Sequence, residues 1–170
     1  MKYFALICLS FFLSIAANLV SEDSIIGFWK TVDDKTGKPR SLVAVYEYKG
    51  KYFGRLIATY KPNGAFHDSI YSPEERASGV VGEPYYSGLD FIYDLEKEGT
   101  RYTNGYILDP EEGRLYEAEV WREKNNLIVR GEILFFGKNQ TWPIAVATDF
   151  PPGFVKPDLA SLVPVIPQAK

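Results

Sequence analysis

A chain of 170 residues is long enough for one domain and short for two. With 46% hydrophobic and 24% charged residues it is a globular sequence, not a disordered one. A formal net charge of -3 and one histidine argue against a nucleic-acid partner, which needs a clustered basic face, and exclude any multi-histidine metal centre.

Residues 1–17 read as an export signal. Lys2 supplies a thin positive start, an apolar run follows from Tyr3 to Ile15, and Ala16-Ala17 offers small residues at a cleavage point. The run falls short of the ~20 apolar residues that span a bilayer, so the processed chain is not expected to span a membrane. Cleavage also removes Cys8, the single cysteine, which leaves no thiol for a disulfide, a metal or redox chemistry, and a net charge of -4. The expected location is periplasmic or secreted.

From Ile25 onward the apolar residues recur every second position, the period of strands. Ile25–Val32 is the first predicted strand, closed by the polar run Asp33 to Pro39. Ser41–Tyr48 and Lys51–Tyr60 follow, joined at Lys49-Gly50. A two-residue loop there pairs Tyr46 with Phe53, whereas a bulged loop pairs it with Gly54, and the sequence leaves both open. A long connection, Lys61 to Ser87, contains Ser72-Pro73-Glu74-Glu75, the pattern of a capped helical turn. Such a connection serves either as a binding loop or as a strap across one end of the fold.

Further strands are predicted at Leu89–Leu95, Thr100–Leu108, Arg114–Trp121, Leu127–Phe136 and Asn139–Thr148, with turns at Glu96–Gly99, Asp109–Gly113, Lys124–Asn126 and Gly137-Lys138. The fold class is therefore all-β, an antiparallel meander of about eight strands over residues 25–148, the number at which a sheet closes into a barrel. Residues 149–170 hold five of the eleven prolines, Pro151-Pro152 among them, and form an extension that is either a strap or a flexible tail.

Several motifs carry a family resemblance: Gly27-Phe28-Trp29-Lys30, Gly50-Lys51-Tyr52-Phe53-Gly54-Arg55-Leu56, Gly105-Tyr106-Ile107-Leu108-Asp109-Pro110-Glu111-Glu112-Gly113-Arg114-Leu115-Tyr116, Leu127-Ile128-Val129-Arg130-Gly131 and Gln140-Thr141-Trp142. Together they resemble the exported bacterial domain-of-unknown-function family number twenty-one forty-seven. The resemblance implies a lipocalin-like (calycin) barrel and an envelope location, and no activity. It also implies that Trp29 plugs the closed end, with an arginine from a late strand, here Arg130, over its ring. One departure stands out. The family's Trp-Thr-Arg is replaced by Trp142-Pro143-Ile144, and Pro143 removes a ladder donor, so a bulge or frayed pairing is expected there.

Catalysis finds little material. His67 stands alone in a polar loop and no Ser-His-Asp arrangement suggests itself. Glu117 and Glu119 share a strand face, which suits a carboxylate pair but more commonly a solvated surface. Asn139-Gln140-Thr141 matches a glycosylation acceptor, incidental in an exported bacterial chain. No cofactor, metal or catalytic residue is expected. A pocket, if there is one, would use the mid-strand aromatics Tyr46, Tyr52, Tyr116 and Trp142 to hold a small amphipathic ligand. The alternative is a filled barrel acting as an interaction module for an envelope protein. An outer-membrane barrel is disfavoured because Glu47, Arg55, Glu117 and Glu119 would interrupt the outward apolar band.

Overall fold

The computed structural model describes residues 23–33, 35–133 and 136–170, without the side chains of Ile133 and Phe136. The expected export signal, residues 1–17, and Cys8 lie outside the described residues. The strands are β1 (Gly27–Val32), β2 (Pro39–Tyr48), β3 (Lys51–Tyr60), β4 (Phe66–Ser69), β5 (Asp90–Glu98), β6 (Arg101–Leu108), β7 (Leu115–Glu123), β8 (Asn126–Ile133) and β9 (Phe136–Pro143). All but β4 form one antiparallel meander, in which each strand pairs with the next. Short β4 lies within the long connection and pairs with the end of β3.

The sheet curls until its edges meet. Trp29 of β1 pairs with Ile144, just past β9, and the Ala145 amide donates to the Phe28 carbonyl at 2.9 Å. The result is a nearly closed barrel. Three two-residue turns gather at one end. Lys49 and Gly50 both have positive φ (51° and 80°), the conformation of a tight hairpin whose twist matches its strands. That turn fixes the register left open by the sequence: Tyr46 pairs with Phe53, in the two-residue form.

Three expectations fail locally. Ser72-Pro73-Glu74-Glu75 forms no helical turn. The amides of Glu74 and Glu75, which such a turn would cap with Ser72, donate instead to Asp68 Oδ2 at 3.2 and 3.3 Å. Residues 75–77 then bond across to 84–86 through Tyr86 N to Glu75 O and Ala77 N to Pro84 O. The last strand also starts earlier than predicted. Gly137 and Lys138 are not a turn but pair with Glu132 and Gly131, and the pairing continues to Ile133 with Phe136. The Arg130 guanidinium lies over Gly137, where a Cβ would come 2.5 Å from Arg130 Nη2. Pairing stays regular through Pro143, where the strand stops with no bulge.

Six consecutive residues of β2, Ser41–Tyr46, are buried, so both faces of this strand are covered. Val43 and Val45 face the barrel interior and join Trp29, Leu56, Tyr102, Val120, Leu127 and Trp142. Leu42, Ala44 and Tyr46 face outward, yet they are fully buried under a second layer built by the long connection and the C-terminal segment. That segment contains two 3₁₀ turns, Ala147–Asp149 and Leu159–Ser161, and runs along the outside as a strap. Val81 N donates to Gln168 O, Lys170 N donates to Gly79 O, and Tyr71 Oη donates to Val155 O. Among the described residues no helix is long and apolar enough to cross a membrane.

Candidate functional site

The barrel's inner face changes character along its axis. At the tight-turn end it is solid. Trp29 is 1% exposed and donates from Nε1 to Ile25 O at 2.8 Å, while Tyr102, Leu95, Leu127 and Trp142 are each buried around it. The entering segment, residues 23–26, crosses this end. Trp29 is thus buried at the tight-turn end, but the arginine over its ring is Arg122 and not Arg130. The Arg122 guanidinium lies 5.6 Å from the ring centroid and donates to the carbonyls of Ser24 and Lys124. Arg130 faces outward, where it pairs with Glu132 and donates to Asn139. Alternation explains the correction: β8 turns Leu127 and Val129 inward, so Arg130 must point out.

Toward the other end, where the longer connections lie, the inner face opens. Tyr116 shares the inward face with Ala118 and Val120 and is half-buried. Ile107 and Gly131 lie beside it and are also half-buried. A Cβ at Gly131 would meet Tyr116 Cβ at 3.5 Å and Ile107 Cδ1 at 3.9 Å, an ordinary contact distance. Across the barrel, Trp142 packs against Phe91 with ring centroids 6.1 Å apart and donates to Gln140 Oε1 at 3.0 Å. Gln140 itself is exposed. Tyr52 packs edge-on to Tyr102 at 4.6 Å; burial first, then the neighbouring Tyr102 and Glu47, raises its hydroxyl pKa. Three of the four aromatics singled out from the sequence, Tyr52, Tyr116 and Trp142, therefore face the interior.

The fourth does not. Tyr46 points outward and is 0% exposed. Its hydroxyl donates to Asp90 Oδ1 at 2.8 Å and accepts from Arg55 Nη2 at 3.2 Å. Arg55 grips Asp90 with two bonds, Nε to Oδ1 at 2.9 Å and Nη2 to Oδ2 at 2.6 Å. Burial, and then the charge of Asp90, push the Tyr46 hydroxyl well above its ordinary range, so it stays protonated and serves as a donor. The strap seals the cluster: Arg55 Nη2 also donates to Val163 O at 2.8 Å, and Val165 N donates to Asp90 Oδ2 at 2.9 Å.

Sequence reasoning missed a second buried carboxylate, Asp68. It accepts from Thr59 Oγ1 at 2.6 Å and Ser87 Oγ at 2.8 Å, besides the two amides already named. Burial works to raise its pKa, but the four bonds outweigh burial and hold it below the usual carboxylate range. No sequence signal marked it, because its burial depends on Thr59 of β3 and Ser87 at the far end of the long connection. His67 Nε2 lies 3.8 Å from Glu75 Oε2. On the outer face, Glu119 pairs with Arg101, and Glu117 stands opposite Glu132 across the β7–β8 pair. Among the described residues no three His, Cys, Asp or Glu side chains gather as a metal site.

An eight-strand antiparallel, nearly closed barrel defines the lipocalin-like class. Within it, the chain belongs to the family described as "Uncharacterized protein conserved in bacteria (DUF2147)", whose model matches residues 27–143. A solved structure of similar fold is the protein HP1028 from the human pathogen Helicobacter pylori, described as belonging to the lipocalin family. It has a TM-score of 0.58 and 20% sequence identity, covering 74% of this chain and 86% of that chain. No curated protein matches the sequence.

Proposed function

We propose that this protein is a non-catalytic binding barrel that holds a small amphipathic molecule in a shallow mouth at the end opposite the tight turns. The supporting observation is the gradient on the inner face. Fully buried residues form a floor at Trp142, and above it Tyr116, Ile107 and Gly131 are half-buried while Gln140 is exposed. Apolar wall and polar rim together suit a ligand with one greasy and one polar end. Tyr52, well down in the interior, would contribute floor rather than rim.

Gly131 supplies the test, because its added side chain meets no prohibitive contact and would fill the mouth. The protein purified from its own host is expected to carry a co-bound small molecule in native mass spectrometry. It should also bind the amphipathic dye 1-anilinonaphthalene-8-sulfonate, with Gly131→Leu weakening that binding at least tenfold at unchanged Tm. A host-purified protein with no co-ligand, together with equal dye binding by both forms, overturns the reading. Action in the periplasm or outside the cell is part of the proposal, supported by the leader-like residues 1–17; amino-terminal sequencing of the host protein tests it.

A second reading, a filled barrel that contacts an envelope protein, draws on the solid tight-turn half and on the exposed apolar side chains Val155, Val163, Val165 and Ile166 along the strap. Co-purification of a partner that dye binding does not displace would favour it.

A further inference from the structure

The strap and the surface beneath it are unequal partners. None of residues 151–170 is fully buried, yet they cover Leu42, Ala44, Tyr46 and Asp90, each 0% exposed. Leu159 and Leu162 fill the apolar layer. Most of the polar contacts pass through strap backbone: Val155 O, Val163 O, Val165 N, Gln168 O and Lys170 N. Such a strap opens at lower free energy than the barrel, because so little of it is buried. Opening uncovers an apolar face and the Arg55–Asp90 pair, so the open form is driven to recapture a strap. Arg55 and Asp90 read a carbonyl and, two residues later, an amide; any copy of the segment offers the same pair. The chain enters the strap through Pro151-Pro152-Gly153, with Gly153 at φ 77°, a short joint outside the strand network.

We propose that the outer face of β2, β3 and β5 is a peptide-recognition groove whose second occupant is the strap of another copy, so that two chains exchange residues 155–170 reciprocally. A closed exchange of identical elements restores every contact of the single chain. The competitor is the chain's own strap, present at an effective concentration on the order of millimolar, so exchange becomes substantial only in that range.

Lys170 Nζ lies 2.6 Å from Glu83 Oε1, which lets a zero-length carbodiimide couple strap to barrel in the unaltered chain. Full-length protein, half of it ¹⁵N-labelled, is mixed across about 10 μM to 2 mM, warmed briefly below its Tm, cooled and coupled. The expected result is mixed-isotope Lys170–Glu83 peptides that are scarce at low concentration and rise toward half of all coupled peptides at the top, in step with dimer by sedimentation. Single-isotope peptides only, at every concentration, overturn the proposal. Where coupling is too sparse to read, Leu162→Asp decides: it should abolish the dimer, and a dimer it leaves unchanged, or no dimer at 2 mM, overturns the proposal equally.

Discussion

Arg55 and Asp90 form a two-bond ion pair, 2.6 Å at its shorter contact, on the outer face of the barrel. The carboxylate is 0% exposed and the guanidinium side chain 15%. Breaking such a pair leaves one buried charge unmatched, which costs ~3–5 kcal/mol. Asp90→Ala is therefore expected to lower the unfolding free energy by about that much in urea titration. Arg55→Ala together with Asp90→Ala should cost clearly less than the two single losses added, as coupled neighbours do. Additive losses would mean that the pair is not the unit described.

Asp68 provides a pH signature. Its pKa lies below the ordinary carboxylate value in the folded chain, so its contribution to stability is present above that ordinary value and fades as pH falls through the folded one. Asp68→Asn is expected to cost about 1–3 kcal/mol at pH 7. The gap between the two proteins should narrow steadily below about pH 4. Urea midpoints at pH 7, 5, 4 and 3 measure it. A gap that stays constant with pH would contradict the hydrogen-bond account.

The plug at the tight-turn end separates two arginines. Arg122→Ala removes a cation over the Trp29 ring, worth about 0.5–2 kcal/mol, along with two bonds to backbone carbonyls. Arg130→Ala breaks a partly exposed pair, worth about 0–1 kcal/mol, and one exposed hydrogen bond to Asn139. Thermal unfolding should rank Arg122→Ala clearly below Arg130→Ala. The reverse order would return the plug to Arg130.

Gly79 and Gly113 bring two loops into backbone contact: Gly79 N donates to Pro110 O at 2.9 Å, and a Cβ on Gly79 would sit 2.2 Å from Gly113 N. Gly79→Ala is expected to destabilise by roughly 1–3 kcal/mol through overpacking. Hydrogen exchange should quicken in residues 75–89 before it does in the barrel strands. Unchanged protection there would show that the loop yields freely.

The alternation of side chains marked the strands and which residues share a face, because a period of two is a property of the backbone itself, while the placing of Trp29 inside the barrel came from the family resemblance. Lys49-Gly50 fixed a tight turn by local chemistry, although which register it chose needed the paired strand. Only tertiary structure decided what lies outside the barrel. Tyr46 reads like any interior aromatic, and its outward burial depends on a strap more than a hundred residues away in sequence. The Ser72–Glu75 segment has the local pattern of a helix start, but Asp68, six residues before Glu74 and held in place by Thr59 and Ser87, captured its amides. Arg122 won Trp29 from Arg130 because strand parity fixed which face each arginine takes. Local pattern sets which way a side chain alternates; what it then meets depends on long-range pairing and on the second layer that covers it.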